Sequence, residues 1–342
     1  MLELDDRTRL ILFSVFILRD RVVMKGTPSM QHNIRRRKNH GVRKLIIALA
    51  LFVLCVAVAS PIISSIKQKN STRVDVDDIY TQWDEKNYQS VYDLTNEILK
   101  TQPYNNMALT FHGYASFYLA VAQVDTLQSQ VFLDESITSL RVALLNARED
   151  VLPQLYYMLG KAYFYKNTLS SYHYYSDLAI KYLTLASQGG YKADDIPEYL
   201  GLSYAALNMT EESIAAFTEA LIVRESDALL LSIAEQYYKN DQLSAAKAYL
   251  HRVATDTTDD FIRIKCLILL GQIYLEEENY NEAEKEYAAV LEIDPNNADA
   301  YYGMGVLYEH KGELVKARAE WRKALQIDVN HQGALQKMAE YK

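Results

Sequence analysis

The strongest constraint on the fold is a spacing pattern that residues 264–331 contain twice, 34 residues apart. In each copy a glycine is followed, at steps of three, nine, four and three residues, by a tyrosine, an alanine, an aromatic residue and a small apolar residue. The first copy consists of Gly271, Tyr274, Ala283, Tyr287 and Val290, and the second of Gly305, Tyr308, Ala317, Trp321 and Ala324. A repeat of this length predicts an array of similar units that stack on one another.

Each copy describes two short helices that pack against each other. Residues 265–276 and 280–292 carry apolar side chains at spacings of three and four residues, which is the period of one buried helix face. We expect Gly271 and Ala283 where the two helices cross, because small side chains let two backbones approach closely. Pro295 cannot continue the second helix but suits the first turn of the next unit.

In length, and in the order of its small and aromatic residues, this unit resembles the tetratricopeptide repeat (TPR) family. The resemblance implies an all-α fold, a TPR-type α-solenoid in which helix pairs wind into a right-handed superhelix. It also implies that the first helix of each pair lines a concave groove and that this groove holds protein or peptide partners.

The pattern extends over most of the chain. The small residue of each first helix can be followed through Ile79, Gly113, Gly160, Gly201, Ala234, Gly271 and Gly305. The steps between them are 34, 47, 41, 33, 37 and 34 residues, so we predict about seven helix pairs over 72–331 and a capping helix over 332–342. The two long steps place extra residues around Val124–Val131 and Asn167–Tyr175, either as loops at a binding face or as lengthened helices.

Charge divides the chain into two parts. Residues 1–44 hold eleven Lys and Arg against four Asp and Glu, whereas residues 67–342 hold 25 against 40. The net charges are therefore +7 and −15. A repeat region with this negative charge would repel the phosphates of DNA or RNA, so we expect no nucleic-acid partner.

An apolar segment separates these two parts. Leu45–Ile66 contains 22 residues without a charge, enough for a helix to cross a hydrocarbon core of about 30 Å. Six basic residues precede it closely and three follow it, which places the basic segment 1–44 in the cytoplasm and the repeats, after a linker at 67–71, in the periplasm. We therefore expect a single-pass inner (cytoplasmic) membrane protein, with the lipid bilayer as a partner of Leu45–Ile66.

Three alternatives to this arrangement remain. Ala57 and Ala59 fit the small-residue rule for cleavage of a signal peptide. A translation start at Met24 or Met30 would shorten the basic segment. If the charge rule misleads, the repeats face the cytoplasm and the protein is a cytoplasmic-facing adaptor.

The chain lacks the common sequence signatures of catalysis. It contains no His-Glu-x-x-His, Gly-x-Ser-x-Gly or Cys-x-x-Cys motif and no phosphate-binding glycine loop. Cys55 and Cys266 are too few for a disulfide framework. We expect no catalytic residue, cofactor, metal or small-molecule substrate. An enzyme built on the insertions is the alternative, although Asn167–Tyr175 offers His173 and hydroxyl groups without a carboxylate.

Tyrosine, with 27 residues against nine phenylalanines, supplies the candidate binding site. By the family resemblance, the groove is lined by the residues three before, and one, four and five after, the small residue of each first helix. In the units of Gly113 and Gly160 these positions hold the aromatic residues Tyr114, Phe117, Tyr118, Tyr157, Phe164 and Tyr165. Aromatic side chains offer a large apolar area, so we predict that these six form a protein-binding groove. The alternative is that the two insertions fold over and bury them.

These features together predict a membrane-anchored, non-enzymatic scaffold or adaptor for protein–protein interactions on the extracytoplasmic (periplasmic) side, in envelope assembly or secretion. A groove that clamps a C-terminal carboxylate, as in chaperone-tail receptors of this family, needs several lysines and asparagines. Lys161 alone does not supply them.

Overall fold

The computed structural model describes residues 75–170 and 174–341, together with the single residue Ser60. Every regular element in these ranges is an α-helix, which confirms the all-α fold expected from the sequence. The fifteen helices are α1 (Val76–Asp84), α2 (Tyr88–Thr101), α3 (Asn106–Ala122), α4 (Thr126–Leu144), α5 (Leu152–Thr168), α6 (Ser176–Gln188), α7 (Ile196–Ala206), α8 (Thr210–Val223), α9 (Asp227–Lys239), α10 (Leu243–Asp256), α11 (Asp260–Glu276), α12 (Tyr280–Ile293), α13 (Ala298–His310), α14 (Leu314–Ile327) and α15 (Gln332–Glu340).

Local sequence determines where many of these helices begin. Asp75, Asn105 and Ser226, just before α1, α3 and α9, each accept a hydrogen bond from a backbone N–H of the first turn. Pro153 and Pro197 lie in the first turns of α5 and α7, where the backbone N–H that proline lacks would have no partner within the helix. Most odd-numbered helices therefore start at a residue suited to that position.

The turns inside five of the helix pairs share one backbone feature. Each contains a residue in the left-handed region, with φ between 56° and 75°; these residues are Lys86, Asn208, Asp241, Glu278 and Gly312. Of the five, Gly312 alone adopts this conformation without steric cost, because the other four carry a Cβ atom. The chain thus reverses direction in the same way in pairs of different sequence.

The helices pack in chain order as seven successive pairs, from α1–α2 to α13–α14, followed by α15. A glycine on the first helix faces a large side chain on the second, as the repeat pattern predicts. A Cβ atom added at Gly305 would lie 2.2 Å from Nε1 of Trp321, and one added at Gly271 would lie 2.7 Å from the ring of Tyr287. The close approach of the two helices therefore depends on these glycines.

The first long repeat step is largely taken up by longer helices, and the second by the connections, since seven residues separate α5 from α6 and seven separate α6 from α7. α3 and α5 contain 17 residues each and α4 contains 19, against 13 in α9 and 14 in α10. Most of the first insertion, Val124–Val131, lies in the first turns of α4. Residues 171–173 of the second insertion lie outside the described residues.

Odd-numbered helices also contact one another. α3 contacts α5, α5 contacts α7, α9 contacts α11, and α11 contacts α13. We call the surface that these helices share the inner face. It is the surface on which the sequence places the binding groove.

The membrane localisation expected from the sequence is wrong. No helix within 75–170 and 174–341 is long and apolar enough to cross a membrane. The longest of them, α4, carries Asp134, Glu135 and Arg141, and charged side chains are costly in hydrocarbon. Leu45–Ile66, on which the expectation of a single-pass membrane protein rested, lies outside the described residues, as do 1–44 and the linker at 67–71.

Candidate functional site

The structure brings the six predicted groove aromatics together on α3 and α5. Phe117 contacts Tyr118 and Tyr165, with ring centroids 5.4 Å apart in both pairs, and Phe164 contacts Tyr165 at 5.6 Å. Tyr157 joins the cluster through Lys161, whose Nζ lies 5.1 Å from the Tyr157 ring and 5.8 Å from the Phe117 ring.

These six residues are not equally accessible. Tyr114 and Phe117 are only 4% and 2% exposed and belong to the core. Tyr118, Tyr157, Phe164 and Tyr165 are half-buried. A partner on the inner face could therefore reach four of the six without a rearrangement, and whether this cluster binds a partner stays a prediction.

Aromatic residues of neighbouring units pack against this cluster from both sides. Trp83 at the end of α1 contacts Tyr114, and Tyr88 at the start of α2 stacks on Tyr118 with ring centroids 4.4 Å apart. On the other side, Tyr199 of α7 contacts Phe164 at 4.7 Å. These groups come from the preceding and following helix pairs. Burial by the two insertions stays an alternative, because residues 171–173 lie outside the described residues.

Tyr157 and Lys161 of this cluster share a carboxylate, whereas the buried Tyr114 hydroxyl has no partner among the described residues. The Tyr157 hydroxyl donates to Asp195 at 2.8 Å, and Lys161 Nζ lies 2.9 Å from Oδ2 of the same carboxylate. Burial and the hydrogen bond to Asp195 raise the pKa of Tyr157 above its usual range. Lys161 is therefore engaged within the chain.

A second site on the inner face was not predicted from the sequence. It is a pocket of about 390 Å³ between α9, α11, α13 and α15, which we call the C-terminal pocket. Its lining residues are Tyr238, Gln272, Leu275, Glu276, Tyr287, Asp299, Tyr302, Gly303, Val306, His310, His331 and Gly333. Of these helices, α9, α11 and α13 are successive first helices of pairs and α15 follows the last pair.

Two glycines let a residue of the outer layer reach this pocket. Tyr287 lies on α12, yet its ring passes between α11 and α13: added Cβ atoms would lie 2.7 Å from it at Gly271 and 2.4 Å from it at Gly303. The side chain is 1% exposed. Burial and the nearby Tyr238, Tyr302 and Glu276 raise the pKa of its hydroxyl above the usual range, so the hydroxyl ends among inner-face residues.

Two hydrogen-bonded pairs fix the polar groups at the pocket. The Tyr238 hydroxyl donates to Oε1 of Glu276, and burial together with this bond raises the pKa of Tyr238 to about 12. His331 Nδ1 accepts from the backbone N–H of Ala334 at 3.1 Å, so in the neutral ring the proton is on Nε2. Nε2 then donates to Oδ1 of Asp299 at 3.0 Å.

The spacing rule that selected the six aromatics also selects most of this lining. Gln272, Leu275 and Glu276 stand one, four and five residues after Gly271, and Tyr302 stands three before Gly305. The sequence gives no aromatic signature for this site, because its lining combines polar, charged and apolar side chains. The second glycine, at 303, was the signal that would have located it.

Two other titratable side chains of the described segments, His112 and Cys266, are buried in the core. His112 Nδ1 lies 2.9 Å from the Ser139 hydroxyl, and burial lowers the pKa of the imidazole to about 4. Burial raises the pKa of the Cys266 thiol to about 12. Within 75–170 and 174–341, no group of three His, Cys, Asp or Glu side chains could hold a metal ion.

Two family models match the part of the chain that contains most residues of the C-terminal pocket. A model described as TPR repeat matches residues 271–312, and one described as tetratricopeptide repeat matches residues 298–331. The chain therefore carries TPR repeats.

Solved structures and curated proteins extend this comparison. The C-terminal part of a TPR repeat-containing protein from Cytophaga hutchinsonii matches 77% of this chain and 98% of its own, with a TM-score of 0.55 and 13% identity, which shows a TPR-like fold. The structure of YrrB, described as a TPR protein with an unusual peptide-binding site, matches 58% of this chain and 97% of its own, with a TM-score of 0.43 and 25% identity. A curated relative from Hordeum vulgare, named as a probable UDP-N-acetylglucosamine–peptide N-acetylglucosaminyltransferase SPINDLY, is 26% identical over 166 residues. That match covers 47% of this chain and 17% of the relative.

Proposed function

We propose that the chain is a non-enzymatic scaffold that binds segments of other proteins along the inner face of its TPR array. The C-terminal pocket is the observation that carries this proposal. A cavity of about 390 Å³ with apolar walls and a few converging polar groups is large enough for one or two side chains of a bound segment. Because α9, α11, α13 and α15 all line it, a segment lying along the inner face would cross it.

The aromatic cluster on α3 and α5 is a second proposed contact region on the same face. Tyr118 and Tyr165 are half-buried there and retain surface that a partner could cover. Replacing Tyr114 and Phe117 would open cavities in the core, so a loss of binding could not be distinguished from a loss of folding. Paired replacement of Tyr118 and Tyr165 by serine is therefore the cleaner test of this region.

The name of the Hordeum vulgare relative raises glycosyl transfer as another function. The match spans 17% of that relative, so we propose no transferase activity for this chain.

Selection of peptides from a random display library on the full chain tests the scaffold function. Peptides that bind through the pocket should lose affinity when Val306, which lines it, is replaced by tryptophan and the cavity is filled. Val315 on α14 is 87% exposed and away from the pocket, so Val315→Trp is the matched control and should leave binding unchanged. Fluorescence anisotropy of labelled peptides measures both.

Two results would contradict the proposal. Failure to select any peptide against the folded chain would argue against a peptide-binding scaffold. Selected peptides that bind the Val306→Trp and Val315→Trp variants equally well would show that the pocket is not where segments bind.

A further inference from the structure

The charged side chains that line the C-terminal pocket have one sign. Glu276 and Asp299 contribute carboxylates, and no lysine or arginine is among the lining residues. Lys239 and Lys265, on α9 and α11, lie near Glu235 and do not line the pocket. Since residues 67–342 carry a net charge of −15, the long-range field also favours a cation.

Each carboxylate keeps an oxygen available for a ligand. Tyr238 occupies Oε1 of Glu276, and His331 occupies Oδ1 of Asp299. The side chain of Asp299 is 66% exposed, so this group lies at the mouth of the pocket. The hydrogen bonds from Tyr238 and His331 hold the carboxylates in place, which lowers the entropic cost of binding a cation there.

The third observation is a tyrosine hydroxyl that no other described residue occupies. Tyr287 is 1% exposed and lines the pocket, and its hydroxyl forms no hydrogen bond to another described residue and is accessible from the pocket. A ligand group that enters the pocket could therefore bond to this hydroxyl. Its proximity to Glu276 means that one ligand group could bond to both.

We propose that the C-terminal pocket binds the guanidinium group of an arginine in the segment that lies on the inner face. The planar group has five N–H donors, so it can bond to the free oxygen of Glu276 and to the Tyr287 hydroxyl at the same time. Tyr302 and Tyr238 line the pocket and offer aromatic surface, and Leu275 and Val306 offer apolar contact for the stem. A lysine ammonium has three donors and no plane to stack, so it binds here less well.

This inference rests on the proposed scaffold function, and its test separates the two. The probes are fluorescein-labelled alanine–glycine peptides with one central arginine, lysine or citrulline, measured by anisotropy on the full chain. Citrulline keeps the shape of arginine and removes the charge. We expect the arginine peptide to bind about tenfold more tightly than the citrulline peptide.

Substitutions assign this preference to the pocket. Glu276→Gln combined with Asp299→Asn should abolish the arginine preference, while Glu282→Gln combined with Glu292→Gln removes the same charge from α12 outside the pocket and should preserve it. Tyr287→Phe should weaken arginine binding several-fold without loss of folding, since the hydroxyl that it removes has no partner among the described residues.

The outcomes are distinct. Equal binding of arginine and citrulline peptides, or an arginine preference that survives the Glu276 and Asp299 substitutions, would overturn the arginine site. If the display selection still yields peptides that depend on Val306, the scaffold function would stand without it. A preference for lysine over arginine would also overturn the proposal, because the pocket would then recognise a positive charge and not the planar guanidinium group.

Discussion

Replacing Gly303 by alanine tests the packing that creates the C-terminal pocket. An added Cβ atom would lie 2.4 Å from Cε1 and Cζ of Tyr287, about 1 Å short of ordinary van der Waals contact. The ring has little room to yield, because Gly271 also approaches it closely and the side chain is 1% exposed. Overpacking of this kind costs about 1–3 kcal/mol, and the upper part of that range applies to a trapped ring.

Helix propensity opposes this cost. Alanine in a helix interior is favoured over glycine by about 1 kcal/mol, so the net destabilisation should be about 1–2 kcal/mol. Gly333→Ala is the matched control. Its Cβ would lie 2.7 Å from Cζ of Tyr302, whose half-buried side chain can turn aside, and we expect little change.

Urea unfolding followed by circular dichroism gives the change in free energy of unfolding. Hydrogen exchange of α11 to α13 shows whether the effect is local, as expected for an array in which each repeat contacts its neighbours. A Gly303→Ala variant that is about 1 kcal/mol more stable than the parent chain would refute the reasoning, since the glycine would then be an ordinary helix residue.

Three other residues test separate parts of the structure. Glu278 has a φ of 60°, so Glu278→Gly should raise the free energy of unfolding by about 0.5–1 kcal/mol in urea titrations; a decrease would mean that the left-handed turn costs nothing. Burial lowers the pKa of the His112 imidazole from 6.5 to about 4, so between these pH values the unfolded chain binds a proton that the folded chain does not. The free energy of unfolding should therefore fall by on the order of 2–3 kcal/mol as the pH drops from 6.5 to 4. His112→Asn should make this fall shallower, and an unchanged slope would assign it to other groups. In a Cys55→Ser background, the buried Cys266 thiol should react with iodoacetamide only in denaturant, and rapid labelling of the folded chain would contradict its burial.

The repeat architecture could be predicted because its determinants are local. The spacing of Gly271, Ala283 and Tyr287 fixes which helix faces meet, and the structure places the Tyr287 ring against Gly271 as that spacing requires. The same holds for Gly305 and Trp321. A small and a large residue at a fixed spacing in the sequence therefore predict a contact between adjacent helices.

The accessible surface could not be predicted in the same way. Tyr114 lies at a groove position, yet Trp83 of the preceding pair contacts it, and no rule within one repeat predicts that contact. The C-terminal pocket depends on Tyr287 of an outer helix passing between two inner helices, which requires Gly303 in addition to the repeat glycine. Contacts between units, rather than within them, decide what a partner can reach.

Photo-crosslinking at the pocket tests the central claim most directly. The full chain carrying p-benzoylphenylalanine in place of Gln272, an exposed residue that lines the pocket, should crosslink to a bound arginine peptide, and the chain carrying the same group at position 315, which does not line the pocket, should not. Mass spectrometry of the crosslinked product would place the attachment next to the arginine. Crosslinks from position 315 alone, or from neither position while the peptide remains bound, would contradict binding of partner segments on the inner face.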